Sequence, residues 1–157
     1  MIIISARNWQ QLLFSCLFLI SLTFNANADV ASHEVGKQLF FGKKPLIGKI
    51  VSQDFDLPIE ASRCVNCHIS DQQSQPSEFV KKTQTFGPPL NYQTLTDVKN
   101  IHGGPAFSYT ATGFCTLLRT GIDPTQIVSK RSMPRYEISD EACNAIWMYL
   151  MSIKNTD

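Results

Sequence analysis

The chain has 157 residues, 43% of them apolar and 17% charged, and its formal net charge is +1. So even a balance lacks the basic footprint of a nucleic-acid binder and gives no reason to expect a membrane-surface protein. The length suits one compact domain rather than two.

The first 28 residues read as a secretory leader. Arg7 precedes an apolar run from Leu12 to Phe24, and Ala26-Asn27-Ala28 offers a small-residue cleavage site. The run has 13 residues, short of the ~20 that span a bilayer, so cleavage is expected in preference to a permanent anchor. A lipoprotein reading at Cys16 is disfavoured by the bulky Phe14 nearby. The expected division is a signal peptide over 1–28 and one domain over 29–157, exported to the periplasm and free of a membrane span once the leader is removed. That domain carries 13 basic and 13 acidic side chains.

Ser32 is placed to cap a first helix running through Phe41, with Val35, Leu39 and Phe40 on its apolar face and Gly42 ending it. The stretch after it holds Lys43, Lys44, Gly48 and the segment from Asp54 to Pro58, and leads into Cys64-Val65-Asn66-Cys67-His68. Two thiols and an imidazole at that spacing form the attachment signature of a c-type haem. On one turn, Cys64 and Cys67 would each form a thioether to a vinyl group, and His68 would lie beneath the iron as its proximal ligand. A zinc ribbon is the first competitor, but Cys115 and Cys143 are far apart and supply no second short pair. A thioredoxin-type couple is the other, and it does not require His68 or lack an apolar strand before it.

From Ser70 to Ser108 the chain is polar and broken by Pro76, Pro88, Pro89, Gly103, Gly104 and Pro105, with room for a helical turn or two only between Thr94 and Asn100. A helix from Thr112 to Thr120 carries Phe114, Cys115, Leu117 and Leu118 and stops at Gly121, after which Asp123-Pro124 suits the start of a short turn. Ser139 opens the last helix, where Asp140 and Glu141 suit the dipole. Cys143, Ile146, Leu150 and Ile153 form its buried stripe, flanked by Trp147 and Tyr149. No internal repeat, second C-x-x-C-H or clear strand pattern is present. With two cysteines assigned to haem, Cys115 and Cys143 are expected to pair in an oxidising compartment, the alternative being two separate buried thiols. The bridge would staple helix to helix across 28 residues, for roughly 3 to 4 kcal/mol in the chain-entropy picture.

In order, Gly36-Lys37-Gln38-Leu39-Phe40, the Cys64–His68 motif, Gly87-Pro88-Pro89-Leu90, Met133-Pro134 and a final helix with Tyr149 resemble the class I (monohaem) cytochrome c family, over most of the chain after the leader. The resemblance implies an all-α, cytochrome c-like domain whose N- and C-terminal helices cross around one covalently bound haem c, with long loops. It implies that Gly36 and Phe40 meet Tyr149 at that crossing. It also implies that Pro88 supplies a backbone carbonyl to the His68 ring N–H, and that Leu90 packs on the haem. Two intervals, Phe40 to Cys64 and His68 to Gly87, are longer than compact members need. The opening through Phe41 also resembles the bacterial dihaem peroxidases, which require two haems where this chain has one motif.

The sixth iron ligand is expected to be Met133, which precedes a proline in the loop before the last helix, where the family places its distal thioether. His102 is the chief rival, His33 sits at the edge of the first helix, and Met148 and Met151 lie within a helix where a packing role fits better. With His68 and Met133 both bound the iron has no vacant position, and the expected function is single-electron transfer rather than catalysis. Phe114, Leu117 and Leu118, with Leu90, are candidates for an apolar haem pocket and equally for plain core. The chain would serve as a soluble periplasmic carrier or as the electron-accepting subunit of an oxidoreductase, with redox proteins as partners. The alternative is a haem sensor or small haem enzyme with an open or displaceable sixth ligand, and a haem-stabilised structural adaptor is a third reading. Lys43, Lys44, Lys81 and Lys82 would suit a docking patch or plain solvated surface, and Arg131 and Arg135 flank Met133.

Overall fold

A computed structural model of the chain describes residues 29–30, 32–68, 87–100 and 104–154. The expected leader over 1–28, Lys81, Lys82 and the rival ligand His102 lie outside the described residues.

Helix α1 covers residues 32–40. Ser32 is itself helical, so it lies inside the helix rather than in the extended capping position before it. Its end is sharply made. Gly42 adopts φ +71°, and the Gly42 and Lys43 N–H groups donate to Leu39 O at 3.1 Å and Gln38 O at 2.8 Å. These are the two bonds of a glycine-terminated helix C-cap, which satisfy carbonyls the helix leaves open.

Strand β1, Ile47–Lys49, follows. It pairs antiparallel with the distant β4, Arg135–Glu137, so that Gly48 stands opposite Tyr136 and Lys49 opposite Arg135. Helix α2 is Tyr92–Thr96, capped by Asn91, whose side chain accepts from Thr94 N while the Thr94 hydroxyl accepts from Asn91 N. The reciprocal pair explains why the helix starts two residues before Thr94. Strands β2, Lys99–Asn100, and β3, Ala106–Phe107, form a second two-stranded ladder. Helix α3 is Ala111–Thr120, capped by Thr110 and closed by Gly121 at φ +74°. Helix α4 is Asp140–Ser152, opened by Ser139, whose hydroxyl accepts from Ala142 N.

The Asp123-Pro124 segment forms the short turn expected there, drawn into a tight loop. Asp123 Oδ1 accepts from Thr125 N, Thr125 Oγ1 and Ile127 N at 2.7 to 2.9 Å, and those bonds compete with helical ones for the same backbone donors. The architecture is therefore helices with two small ladders, where helices alone were expected. Strands of two or three residues carry too few alternations to be read from sequence, and their pairing is imposed by where the loops return.

The core forms on α4. Gly36 of α1 lies so close to it that an added Cβ would overlap the carbonyl of Ala145. One turn later the Phe40 and Tyr149 rings meet with centroids 5.6 Å apart. Both sides of this contact are almost fully buried, Phe40 at 0% and Tyr149 at 1% exposure. His33 Nε2 and Ser152 Oγ, 2.8 Å apart, close the far end of the crossing. Helix α3 packs beside α4 through Phe114 against Trp147, centroids 5.6 Å apart, and through the Cys115–Cys143 disulfide, with Cα atoms 5.8 Å apart. Arg119 adds a bond to Ile138 O and an ion pair with Asp140. Helix α2 is tied on by Tyr92 N donating to Ile153 O at 2.9 Å. The predicted stripe of Cys143, Ile146, Leu150 and Ile153 is buried. Among the described residues no helix is long and apolar enough to cross a membrane.

Candidate functional site

Cys64–Asn66 form a single 3-10 turn. Cys67 N and His68 N both donate to Cys64 O, at 3.1 and 2.9 Å. Sharing one carbonyl winds Cys64, Cys67 and His68 around a single turn, and Asn66 fastens it by donating from Nδ2 to Glu60 O at 2.6 Å. Cys64 is buried in the main apolar cluster and Cys67 is half-exposed; neither is in a disulfide.

Residues 87–90 return alongside this turn. Gly87 N donates to Cys67 O at 3.1 Å, and the bare Gly87 backbone lies against the His68 ring so closely that a Cβ there would overlap it. His68 Nδ1 stands 2.8 Å from Pro88 O. A carbonyl oxygen only accepts, so Nδ1 carries the proton and Nε2 keeps its lone pair. Burial holds the imidazole below its usual pKa, against an opposing pull from the Pro88 bond. The ring is therefore oriented, neutral and unprotonated at Nε2, the condition for a metal ligand. This is the carbonyl that the Gly-Pro-x-Leu resemblance implied.

Tyr136 of β4 is the residue that sequence reasoning missed. Its hydroxyl donates to Ser62 O at 2.9 Å, across 74 residues of chain, and also reaches the Cys64 thiol. Burial pushes the Cys64 thiol up to about 12, and burial likewise raises the Tyr136 phenol. Cys67 rises too, for the same reason. Cys64 therefore stays a protonated thiol at neutral pH. Nothing near Tyr136 in sequence marks it out, because its partners are remote.

Met133 lies three residues before Tyr136, half-buried against the same apolar cluster that contains Cys64. Its N–H donates to Lys130 O at 3.0 Å and its carbonyl accepts from Arg135 Nη1 at 2.7 Å. Strand β4 thus links the loop of Met133 to the wall of the Cys64 turn. Leu90 is half-buried against the cluster, while Phe114 and Leu118 are buried members of it. Met148, the first of the two helical methionines, is half-buried on α4, and Met151 packs against the cluster. Arg63 Nε and Arg135 Nε are buried without a hydrogen-bond partner.

Two free thiols and a lone-pair-bearing imidazole on one turn are the donor set that a covalently held haem requires. Zinc fits less well. Cys115 and Cys143 are committed to their disulfide, and among the described residues no three His, Cys, Asp or Glu gather closely enough to hold a metal ion. Compared with known proteins, the chain matches no family model, no curated protein and no solved structure.

Proposed function

We propose that this chain is a periplasmic monohaem c-type cytochrome that passes single electrons, as a soluble carrier or as the electron-accepting subunit of an oxidoreductase. The observation that carries the reading is the His68 ring. Its Nδ1–H is committed to Pro88 O, the side-chain-free Gly87 packs against it, and Cys64 and Cys67 lie on the same turn. The helix crossing of Gly36, Phe40 and Tyr149 agrees with the same family resemblance.

Cys64 and Cys67 would hold the haem as thioethers, each thiol adding across a vinyl group with sulfur on one carbon and hydrogen on the other. His68 would ligate through Nε2, and the Pro88 carbonyl would keep the ring from rotating while making it a stronger donor. Met133 would supply a second ligand from its loop. Haem, when bound, supplies an iron that takes up and releases one electron. Phe114, Leu118 and Leu90 would keep water out, which lowers the solvent rearrangement that accompanies transfer. Ligation by the Met133 thioether together with the His68 imidazole would favour the ferrous state and raise the reduction potential.

The test is the exported protein itself. Its haem should resist acid–acetone extraction, and its mass should exceed that of the leaderless chain by one haem. Cys64→Ser with Cys67→Ser should abolish both results. Extractable haem, or a bare-chain mass, overturns the proposal. The ferric protein should also show a far-red sulfur-to-iron charge-transfer band that Met133→Ala removes. A high-spin spectrum with rapid carbon monoxide binding or peroxide turnover would instead mark a sensor or enzyme.

A further inference from the structure

We propose that Arg135 is a positioning residue for the Met133 thioether, acting through the backbone of the loop that carries it. The inference rests on Met133 as the distal ligand. Arg135 opens β4. Its Nη1 donates to Met133 O at 2.7 Å, and its Nη2 reaches Ser129 O at 3.5 Å. One guanidinium thus spans both ends of the 129–133 turn, while Met133 N donates to Lys130 O inside it.

The arginine is itself held from behind. Gly121 ends α3 at φ +74°, and a Cβ there would overlap the guanidinium of Arg135. Ser129 N donates to Gly121 O at 2.7 Å, bringing the start of the turn to the same place. A cation seated at a helix C-terminus meets the negative end of its dipole. Helix α3 is fixed in turn by the Cys115–Cys143 bridge. The contacts therefore run from a stapled helix, through Gly121 and Arg135, to the carbonyl of Met133.

A neutral thioether has no charge attraction to ferric iron, so its residence depends on how firmly the loop presents it. The planar guanidinium reaches two carbonyls at once, and a lysine ammonium on its flexible stem would hold only one. Arg135 is also kept at a cost, since its Nε is buried without a hydrogen-bond partner. Docking the Met133 loop offsets that cost.

The experiment compares ferric holoprotein of the wild type with Arg135→Gln, Arg135→Lys, Met133→Ala and Arg119→Gln. Arg119→Gln is the control, because it removes a comparable guanidinium-to-carbonyl bond, to Ile138 O, on the other side of β4. The readouts are the far-red band, its loss on raising pH, and capture of the iron by cyanide. Arg135→Gln should lose the band at lower pH and bind cyanide about tenfold faster or more, an effect of about 1.4 kcal/mol. Arg135→Lys should fall between it and wild type, and Arg119→Gln should keep wild-type values even where its melting temperature falls. If Arg135→Gln does not assemble, the intermediate behaviour of Arg135→Lys decides the matter. A wild-type band lost in Met133→Ala but unmoved in both Arg135 variants overturns this inference alone. A band that survives Met133→Ala, or is missing from wild type, overturns Met133 ligation and the inference with it.

Discussion

At His68 three neighbours orient a common side chain and leave its Nε2 lone pair available. Pro88 O fixes the tautomer, Gly87 gives the ring room, and Cys64 O anchors the turn that carries it. Gly87→Ala should cost about 1 to 3 kcal/mol through forced displacement of the ring or of residues 87–88, read as a lower denaturant midpoint and a lower yield of haem-loaded protein. Unchanged values for both would show that the ring has slack. The two thiols differ in the same local way. In the haem-free chain Cys67, half-exposed, should react with iodoacetamide well before Cys64, whose burial holds it near 12. Because only thiolate reacts, the Cys64 rate should keep climbing about tenfold per pH unit through the alkaline range. Equal rates at pH 8, resolved by peptide mass mapping, would refute the burial of Cys64. Cys64, Cys67 and His68 were legible from spacing alone, and Pro88 from the family resemblance. Tyr136 was not, since a hydrogen bond across 74 residues leaves no local pattern.

At the level of elements, the stapled pair α3 and α4 and the crossing of α1 with α4 are the firmest parts of the molecule. Replacing both Cys115 and Cys143 by alanine should remove roughly 3 to 4 kcal/mol, because the bridge closes a loop of 28 residues. Equilibrium unfolding in urea with and without the bridge measures this, and a loss under 1 kcal/mol would mean that α3 and α4 are held by packing alone. Gly36→Val tests the crossing. The added side chain meets the Ala145 carbonyl, so either the helices separate or α1 detaches. The expected signature is altered near-ultraviolet circular dichroism from the Phe40–Tyr149 contact, with a lower melting temperature; an unaltered spectrum would contradict the close approach. The long helices were readable because caps and apolar stripes repeat every turn. The 3-10 turn at Cys64–Asn66 and the β1–β4 ladder were not, since three residues contain less than one period of any pattern.

Across the whole molecule the core and the site meet at Cys64, which is buried in the same apolar cluster as Phe40, Cys143 and Tyr149. The closest contacts of the Gly36, Phe40 and Tyr149 crossing and of the disulfide involve neither Cys67 nor His68, whereas residues 62–68 and 87–88 are tied to one another and to Tyr136 by hydrogen bonds. Amide exchange on the haem-free chain should therefore leave α4 the most protected element. The turn at Cys64–Asn66 and the segment after Gly87 should exchange faster there than in the haem-loaded protein, as expected of a locally opening unit. Uniform loss of protection without haem would show that site and core unfold together.

What the amino-acid sequence by itself determined is the chemistry that depends on neighbours in the chain. The thiol and imidazole spacing at 64–68, the helix start at Ser139 and the helix ends at Gly42 and Gly121 all follow from local rules. Only the tertiary structure decided which remote groups complete those local pieces. It set the carbonyl of Pro88 on Nδ1, Tyr136 against Ser62 and Cys64, Arg135 on the Met133 loop, and β1 beside β4. The physical reason is range. Capping, helical periodicity and motif spacing act within a turn or two, while burial and long-range hydrogen bonds depend on the path of the intervening chain.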